Sequence, residues 1–303
     1  MTSWLVTGAR GMLGQDVLAA LAGEQVTALG RADLDVTDPG AVRAAVAGHD
    51  VVVNCAAWTD VDGAETAEAE ATAVNGTAVR HLAAACAESG AVLLHVSTDY
   101  VLPGDATEPC PEDAPVGPVN AYGRSKLVGE QAVAELLPGS GYVVRTAWLY
   151  GEHGPNFVAT MLKLAAQRDT LAVVDDQHGQ PTWTADLAER LVALGRAALA
   201  GTAPAGVYHG TGSGRTTWCG LARAVFELAG LDPQRVGATT SDAFPRPAVR
   251  PAFSVLGHDR WAAAGFEPLP QWQQSLAEAL KRPAFAELVT AAGARADAGG
   301  DSG

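Results

Sequence analysis

The sequence predicts an α/β protein built on a doubly wound parallel sheet, and three observations carry that reading. From residue 4 to residue 150, short apolar runs alternate with helical stretches, the order that winds parallel strands and their covering helices around one sheet. Trp4-Leu-Val-Thr7 runs straight into Gly8-Ala-Arg-Gly-Met-Leu-Gly14 and then into an apolar helical stretch. Strand, glycine turn and helix in that order make a Rossmann-type phosphate loop, where backbone approaches a pyrophosphate and the helix N-terminus supplies N–H groups. After Gly151 the alternation stops: amphipathic helices and a polar loop predict a second, smaller α/β lobe laid over the ligand crevice. The expected organisation is a dinucleotide-binding domain over 1–150, a mainly substrate-binding lobe over 151–285, and a disordered Ala/Gly/Asp-rich tail over 286–303.

Composition narrows the function classes. A chain of 303 residues with 48% hydrophobic residues can bury a large core, and no apolar run is long enough to cross a bilayer. Met1-Thr-Ser-Trp-Leu-Val-Thr-Gly8 reads as a strand and not as a secretory leader. A formal charge of −14 argues against nucleic acid or anionic membrane as a partner, while leaving room for a small anionic ligand in a locally positive pocket. Cys55, Cys86, Cys110 and Cys219 are scattered, as expected of reduced thiols in a cytoplasmic protein. The seven histidines form no HExxH-like pattern, so no catalytic metal is expected.

Along the chain, Gln25-Val-Thr-Ala-Leu29 is the second strand, and Gly30-Arg31 follows it. An enzyme selective for unphosphorylated NAD commonly holds an acid at this strand end. Arg31 stands there instead, and Arg10 lies inside the glycine loop, which suits a ribose 2′-phosphate. Asp35 either accepts from an adenine amine or caps the helix beginning near Pro39. Asp50-Val-Val-Val-Asn-Cys-Ala-Ala57 reads as a strand covered on both faces, its small end residues leaving room for a cofactor. A helix is expected over about 64–89, with Asn75 on its surface unless a neighbouring site holds it. Ala91-Val-Leu-Leu-His-Val96 delivers Ser97-Thr-Asp-Tyr100 to the carboxyl edge of the sheet, where such folds bind ligands. A helix over 122–136 leads to a sixth strand, Tyr142–Tyr150. Tyr122 and Lys126 are four apart and share a helix face, so the ammonium is expected to lower the phenol from its free pKa of ~10 toward a useful acid/base range.

Glycine turn, strand-end Ser-Thr and YxxxK occur here in the order and spacing of the extended short-chain dehydrogenase/reductases. Ser97-Thr-Asp-Tyr-Val101, Arg145-Thr-Ala-Trp-Leu-Tyr-Gly151 and Asp175-Asp-Gln-His-Gly-Gln-Pro-Thr182 resemble, within that superfamily, the dTDP-4-dehydrorhamnose reductases. Asn54-Cys-Ala-Ala-Trp-Thr-Asp-Val-Asp-Gly-Ala-Glu65 and Arg250-Pro251 fit the same pattern, and the likeness covers about residues 3–283. The resemblance implies NADPH-dependent reduction (NADH being possible) of the 4-keto group of dTDP-4-dehydro-L-rhamnose to dTDP-L-rhamnose. It implies Tyr122 as proton donor, Lys126 on the nicotinamide ribose, and Thr98 polarising the ketone. Gly8, Arg10, Gly11, Met12, Leu13, Gly14, Arg31, Asp35, Val36, Ala56, Ala57 and Val96 then complete the cofactor set, and Asp99, Trp148 and Gln180 join Thr98 on the sugar. A homodimer is compatible with it. The sequence departs from the family at Leu102, where an aromatic is usual, and at Phe253, where Asn is usual before Ser254.

Two other outcomes stay open. Related enzymes reduce other dTDP-4-keto-deoxysugars, including a dihydrostreptose branch, and the same fold serves as a non-catalytic regulatory subunit of some methionine adenosyltransferases. An intact Thr98, Tyr122 and Lys126 favour an enzyme. Dehydration is disfavoured because Tyr100 stands where a 4,6-dehydratase needs an acid. Epimerisation with tightly held NAD is disfavoured by Arg10 and Arg31.

Overall fold

The computed structural model describes the backbone of residues 1–300 and the side chains of residues 1–294. Its framework is a parallel sheet formed by β1 (Ser3–Thr7), β2 (Gln25–Leu29), β3 (Val51–Asn54), β4 (Val92–Thr98), β5 (Gly141–Thr146) and β10 (Gly206–His209), in spatial order β10-β5-β4-β3-β1-β2. Four short strands intervene in sequence between β5 and β10 and belong to the second lobe. Every pairing in the sheet is parallel, which explains apolar runs without alternation: Trp4, Leu5 and Val6 are fully buried, as are Val51, Val52 and Val53. β1 is followed by β2 on one side and β3 on the other, so the chain reverses direction between β1 and β3. That switch point opens a crevice at the carboxyl ends of the strands.

One face of the sheet is covered by α2 (Pro39–Val46), α4 (Ala78–Ser89) and α5 (Ala121–Leu136), which pack Val42, Val79, Leu82 and Val133 against Leu5, Val52, Leu93 and Val143. The other is covered by α1 (Met12–Ala20) and α7 (Thr184–Leu199), where Leu187 and Leu191 meet Trp4, Val6, Val53 and Val144. The expected cut at residue 150 is therefore corrected: α7 and β10, assigned above to the second lobe, complete the dinucleotide-binding sheet. The expected sixth strand over 142–150 is also two pieces. β5 ends at Thr146, and β6 (Leu149–Tyr150) leaves the sheet to pair with β9 (Thr182–Trp183). Between them Trp148 adopts φ +48°, the one positive φ outside glycine among the described residues, and this bend redirects the chain.

The second lobe gathers α6 (Phe157–Ala165), α8 (Trp218–Leu228), α10 (Trp272–Ala279) and α11 (Pro283–Gly300) around a core that includes Leu162, Trp183, Phe226, Leu276 and Phe285. Its strands are short: β7 (Leu171–Val174) pairs with β12 (Val236–Thr239), and β8 (His178–Gly179) with β11 (Thr216–Thr217). The expected disordered tail is corrected over 286–300, which is helical. Phe285 and Ala292 are buried, and Leu288 and Val289 pack on the lobe core, so an apolar stripe holds a segment whose composition alone favours disorder. Residues 301–303 lie outside the described residues. No helix among the described residues is long and apolar enough to cross a membrane.

Two local expectations change. The helix expected over 64–89 is a 3-10 turn (Gly63–Glu65), α3 (Glu68–Thr72), a π-helical turn (Ala73–Thr77) and α4. The residue that caps the helix at Pro39 is Asp38, whose carboxylate accepts from Gly40 and Ala41 N–H. Asp35 instead closes its own turn on Thr37.

Candidate active site

A cleft of about 1310 Å³ runs across the carboxyl edge of the sheet, between the sheet and the second lobe. Every residue proposed above for the site lines it except Gln180. At one end lies the glycine loop. Gly8 has φ +65°, and a Cβ there would fall 2.6 Å from the Ala56 nitrogen. A Cβ at Gly14 would fall 2.3 Å from the Gly8 carbonyl oxygen, so these two glycines are required by close backbone approach. No side chain caps α1, and Gly11, Met12 and Leu13 at its start line the cleft. Arg10 and Arg31 both line the cleft. Arg10 reaches Asp33 at 3.3 Å, and Asp33 in turn accepts from Gly30 N–H at 2.9 Å. The Gly30 amide, with Arg10 beside it, holds the Asp33 carboxyl below the usual carboxylate range.

At the other end, β4 and α5 bring Thr98, Tyr122 and Lys126 together. Asn120 caps α5 through Gly123 N–H at 2.8 Å, so the helix starts directly before the Ala121-Tyr122 pair. Gly123 permits the approach: a Cβ there would lie 2.1 Å from the Tyr100 carbonyl oxygen. Lys126 Nζ donates to the Val96 carbonyl at 2.7 Å, and Lys126 is 1% exposed. Burial lowers its pKa to about 8, and the Glu130 carboxylate acts against that fall. The Tyr122 phenol is not depressed as expected. Burial pushes its pKa up, Asp99 pushes it further, and the Thr98 hydroxyl offsets only part of this. The Lys126 ammonium is spent on the Val96 carbonyl, so desolvation wins at the phenol. Asp99 is itself buried, which raises its pKa to about 6 against the hydroxyls of Ser254 and Thr98, and its Oδ1 accepts from Thr98 Oγ1 at 2.9 Å.

Asn75 sits in the π-helical turn and is fully buried. Its Oδ1 accepts from Trp58 N–H at 2.9 Å, while its Nδ2 donates to the Trp58 carbonyl and to Ser125 Oγ, both at 3.0 Å. The side chain thus ties the loop after β3 to the helix carrying Tyr122, and the surface reading of Asn75 gives way to the neighbouring-site one.

A scan against family models matches residues 2–285 to the RmlD substrate binding domain. The chain is 62% identical over 279 residues to a dTDP-4-dehydrorhamnose reductase of Streptomyces griseus, covering 91% of this chain and 92% of the relative. It is 51% identical over 280 residues to a dTDP-4-keto-6-deoxy-D-glucose reductase of Streptomyces niveus, covering 91% and 96%. Among solved structures, a dTDP-4-dehydrorhamnose reductase of Bacillus anthracis in complex with NADP superposes with a TM-score of 0.86 at 33% identity, covering 92% of this chain and 99% of that one. The chain belongs to the dTDP-4-dehydrorhamnose reductase family.

As a member of this reductase family it is an oxidoreductase, and the sugar end of the cleft differs from the sequence-based expectation in two places. Gln180 is 2% exposed. Its Oε1 accepts from Thr211 Oγ1 at 2.9 Å and Leu256 N–H at 2.8 Å, and its Nε2 donates to the Leu256 carbonyl at 3.1 Å. With both ends of its amide engaged inside the lobe, Gln180 does not reach the cleft. Trp148 does reach it, but not alone: its ring stacks on Trp218 with centroids 3.6 Å apart and planes 11° apart. Trp218 lines the cleft from the start of α8 and escaped sequence reasoning, because nothing local links a helix-start tryptophan to residue 148. Tyr100 escaped it too; its ring meets that of Tyr122 edge-on at 6.1 Å.

Proposed function

We propose that this protein reduces the 4-keto group of dTDP-4-dehydro-L-rhamnose to give dTDP-L-rhamnose, with NADPH as reductant and Tyr122 as proton donor. The observation that carries the reading is the meeting of Thr98, Tyr122 and Lys126 in one cleft with the glycine loop. The 62% identity to a reductase of that name supports the substrate.

The residues present fit the cofactor. The close approach at Gly8 and Gly14 and the uncapped start of α1 leave room and N–H groups for a pyrophosphate. Arg10 and Arg31 suit a 2′-phosphate, and NADP is bound by the Bacillus anthracis relative. When bound, NADPH supplies the hydride.

The protein's own residues do the rest. On substrate binding the Thr98 hydroxyl would turn its one proton from Asp99 Oδ1 to the ketone oxygen and so polarise it. An alkoxide developing on C4 needs a proton, and a phenol whose pKa burial has raised is protonated at neutral pH, as a donor must be. Lys126, with a pKa of about 8, carries its charge at neutral pH and sits on the same helix face one turn on. The stacked Trp148–Trp218 pair offers a flat apolar wall for a deoxysugar.

The test is NADPH oxidation with dTDP-4-dehydro-L-rhamnose, with other dTDP-4-keto-6-deoxysugars, and with the free 4-keto sugar. A clear preference for the first with dTDP-L-rhamnose as product is expected. Preference for dTDP-4-keto-6-deoxy-D-glucose would move the assignment to the activity named for the Streptomyces niveus relative. Equal use of the free sugar would remove the nucleotide-sugar reading, because remote diphosphate and thymine contacts then contribute nothing to turnover.

A further inference from the structure

Tyr122, Lys126 and Glu130 are spaced four apart on α5 and share its inner face. Glu130 takes no part in the chemistry above, yet it is only 6% exposed, where an unpaired carboxylate would be costly. Its Oε1 accepts from Ser97 Oγ at 2.6 Å and from Arg145 Nε at 3.0 Å, and its Oε2 accepts from Arg145 Nη2 at 2.8 Å. Arg145 is 3% exposed and spends its remaining arm on the Glu112 carbonyl at 3.4 Å. Ser97 and Arg145 are direct sheet partners on β4 and β5.

Ser97 stands between two residues of the site. On one side is Val96, whose carbonyl holds Lys126 Nζ, and on the other is Thr98. The end of β4 is therefore fastened to α5 twice within two residues, by Lys126 on Val96 and by Glu130 on Ser97, with Arg145 bracing the second tie from β5. We propose that Glu130 is a positioning residue, a buried carboxylate that fixes the register of Val96–Thr98 against Tyr122 and Lys126. The inference rests on the reading of Thr98, Tyr122 and Lys126 given above.

Electrostatics adds support. The titratable groups facing Lys126 are Glu130 and Tyr122 on its own helix, Cys55 after β3 and His95 on β4. Burial holds the Cys55 thiol up to about 12 and the His95 imidazole well below its usual value, so both are neutral near pH 7, as is Tyr122. Glu130, in contrast, acts to raise the Lys126 pKa against its burial. A buried ion pair is weak evidence for stability, since apolar residues of similar volume commonly replace it without loss; its benefit is then sought in geometry and charge.

The experiment compares Glu130→Gln, the double variant Glu130→Gln/Arg145→Met, and Glu135→Gln, which breaks the exposed pair with Arg80 further along the same helix. Tm, kcat, KM for the keto sugar, and NADPH affinity by fluorescence titration are measured from pH 5.5 to 9.5. The double variant, which leaves no buried unpaired guanidinium, is expected to fold and to lose at least about tenfold in kcat, as a sub-ångström misplacement would, with little change in KM. The alkaline limit of NADPH affinity is expected to move to lower pH in both Glu130 variants, because an ammonium without its carboxylate deprotonates earlier. Glu135→Gln should match the wild type. A folded double variant with wild-type kcat and an unmoved pH limit overturns the proposal, and so does loss of folding in both Glu130 variants, which would leave Glu130 a purely structural residue. If the wild type reduces no dTDP-4-keto sugar, the functional reading fails, while the NADPH affinity profiles still decide the role of Glu130.

Discussion

The cofactor wall of the cleft rests on strands of four to seven residues in continuous parallel register, whereas the sugar wall rests largely on strand pairs of two residues each. On the first wall, backbone ladders place the functional groups, and the side chains that matter stand at strand ends or on the first two turns of a helix. On the second, buried side chains replace missing ladders: Gln180 bridges to Leu256 and Thr211, and Thr184 Oγ1 donates to the Tyr150 carbonyl. A wall made of backbone tolerates changes at its lining residues as changes of chemistry. A wall made of side-chain bonds converts many changes into changes of stability.

Substitutions on the two walls test that contrast. The largest effect is expected at Tyr122→Phe, which should lower turnover by about two to four orders of magnitude, the range for loss of a general acid, with NADPH affinity kept; turnover and cofactor titration measured side by side decide it. A variant near wild-type turnover would take Tyr122 out of the mechanism. Next, Trp148→Ala removes one partner of the stacked pair. It should cost about ten- to a hundredfold in kcat/KM for the keto sugar, the equivalent of ~1.5–3 kcal/mol of buried aromatic contact. NADPH binding should stay nearly intact, and collapse of the fold instead would make Trp148 a core residue of the lobe.

A comparable change belongs to the cofactor wall. Arg31→Asp should weaken NADPH by roughly ten- to a hundredfold, as loss of one charged hydrogen bond does, while NADH is spared. Equal weakening of both cofactors would separate Arg31 from the 2′-phosphate. The smallest effect, and the one most diagnostic of the second wall, is Gln180→Ala. It strands the Leu256 N–H and carbonyl and should cost about 1–3 kcal/mol of stability, read as a lower Tm with KM for the keto sugar almost unchanged. A large rise in KM at unchanged Tm would return Gln180 to the substrate.

Features set by local spacing were legible along the chain. The glycine loop, the strand-end Thr98 and the Tyr122–Lys126 pair are each written within a few residues, and each lies where its pattern placed it, on the cleft. Tertiary structure decided the remainder, because it depends on partners far apart in the chain. β10 returns beside β5 across about 60 residues to complete the sheet, a parallel pairing that no short pattern announces. Asn75 is held by Trp58 and Ser125, 17 and 50 residues away, so its polar side chain read as surface. Gln180 lies inside a motif shared with the family, yet its bonds to residues 31 and 76 positions distant turn it away from the cleft. Burial of Tyr122 reversed the expected direction of its pKa, since desolvation depends on everything packed around the phenol and not on the lysine one turn away.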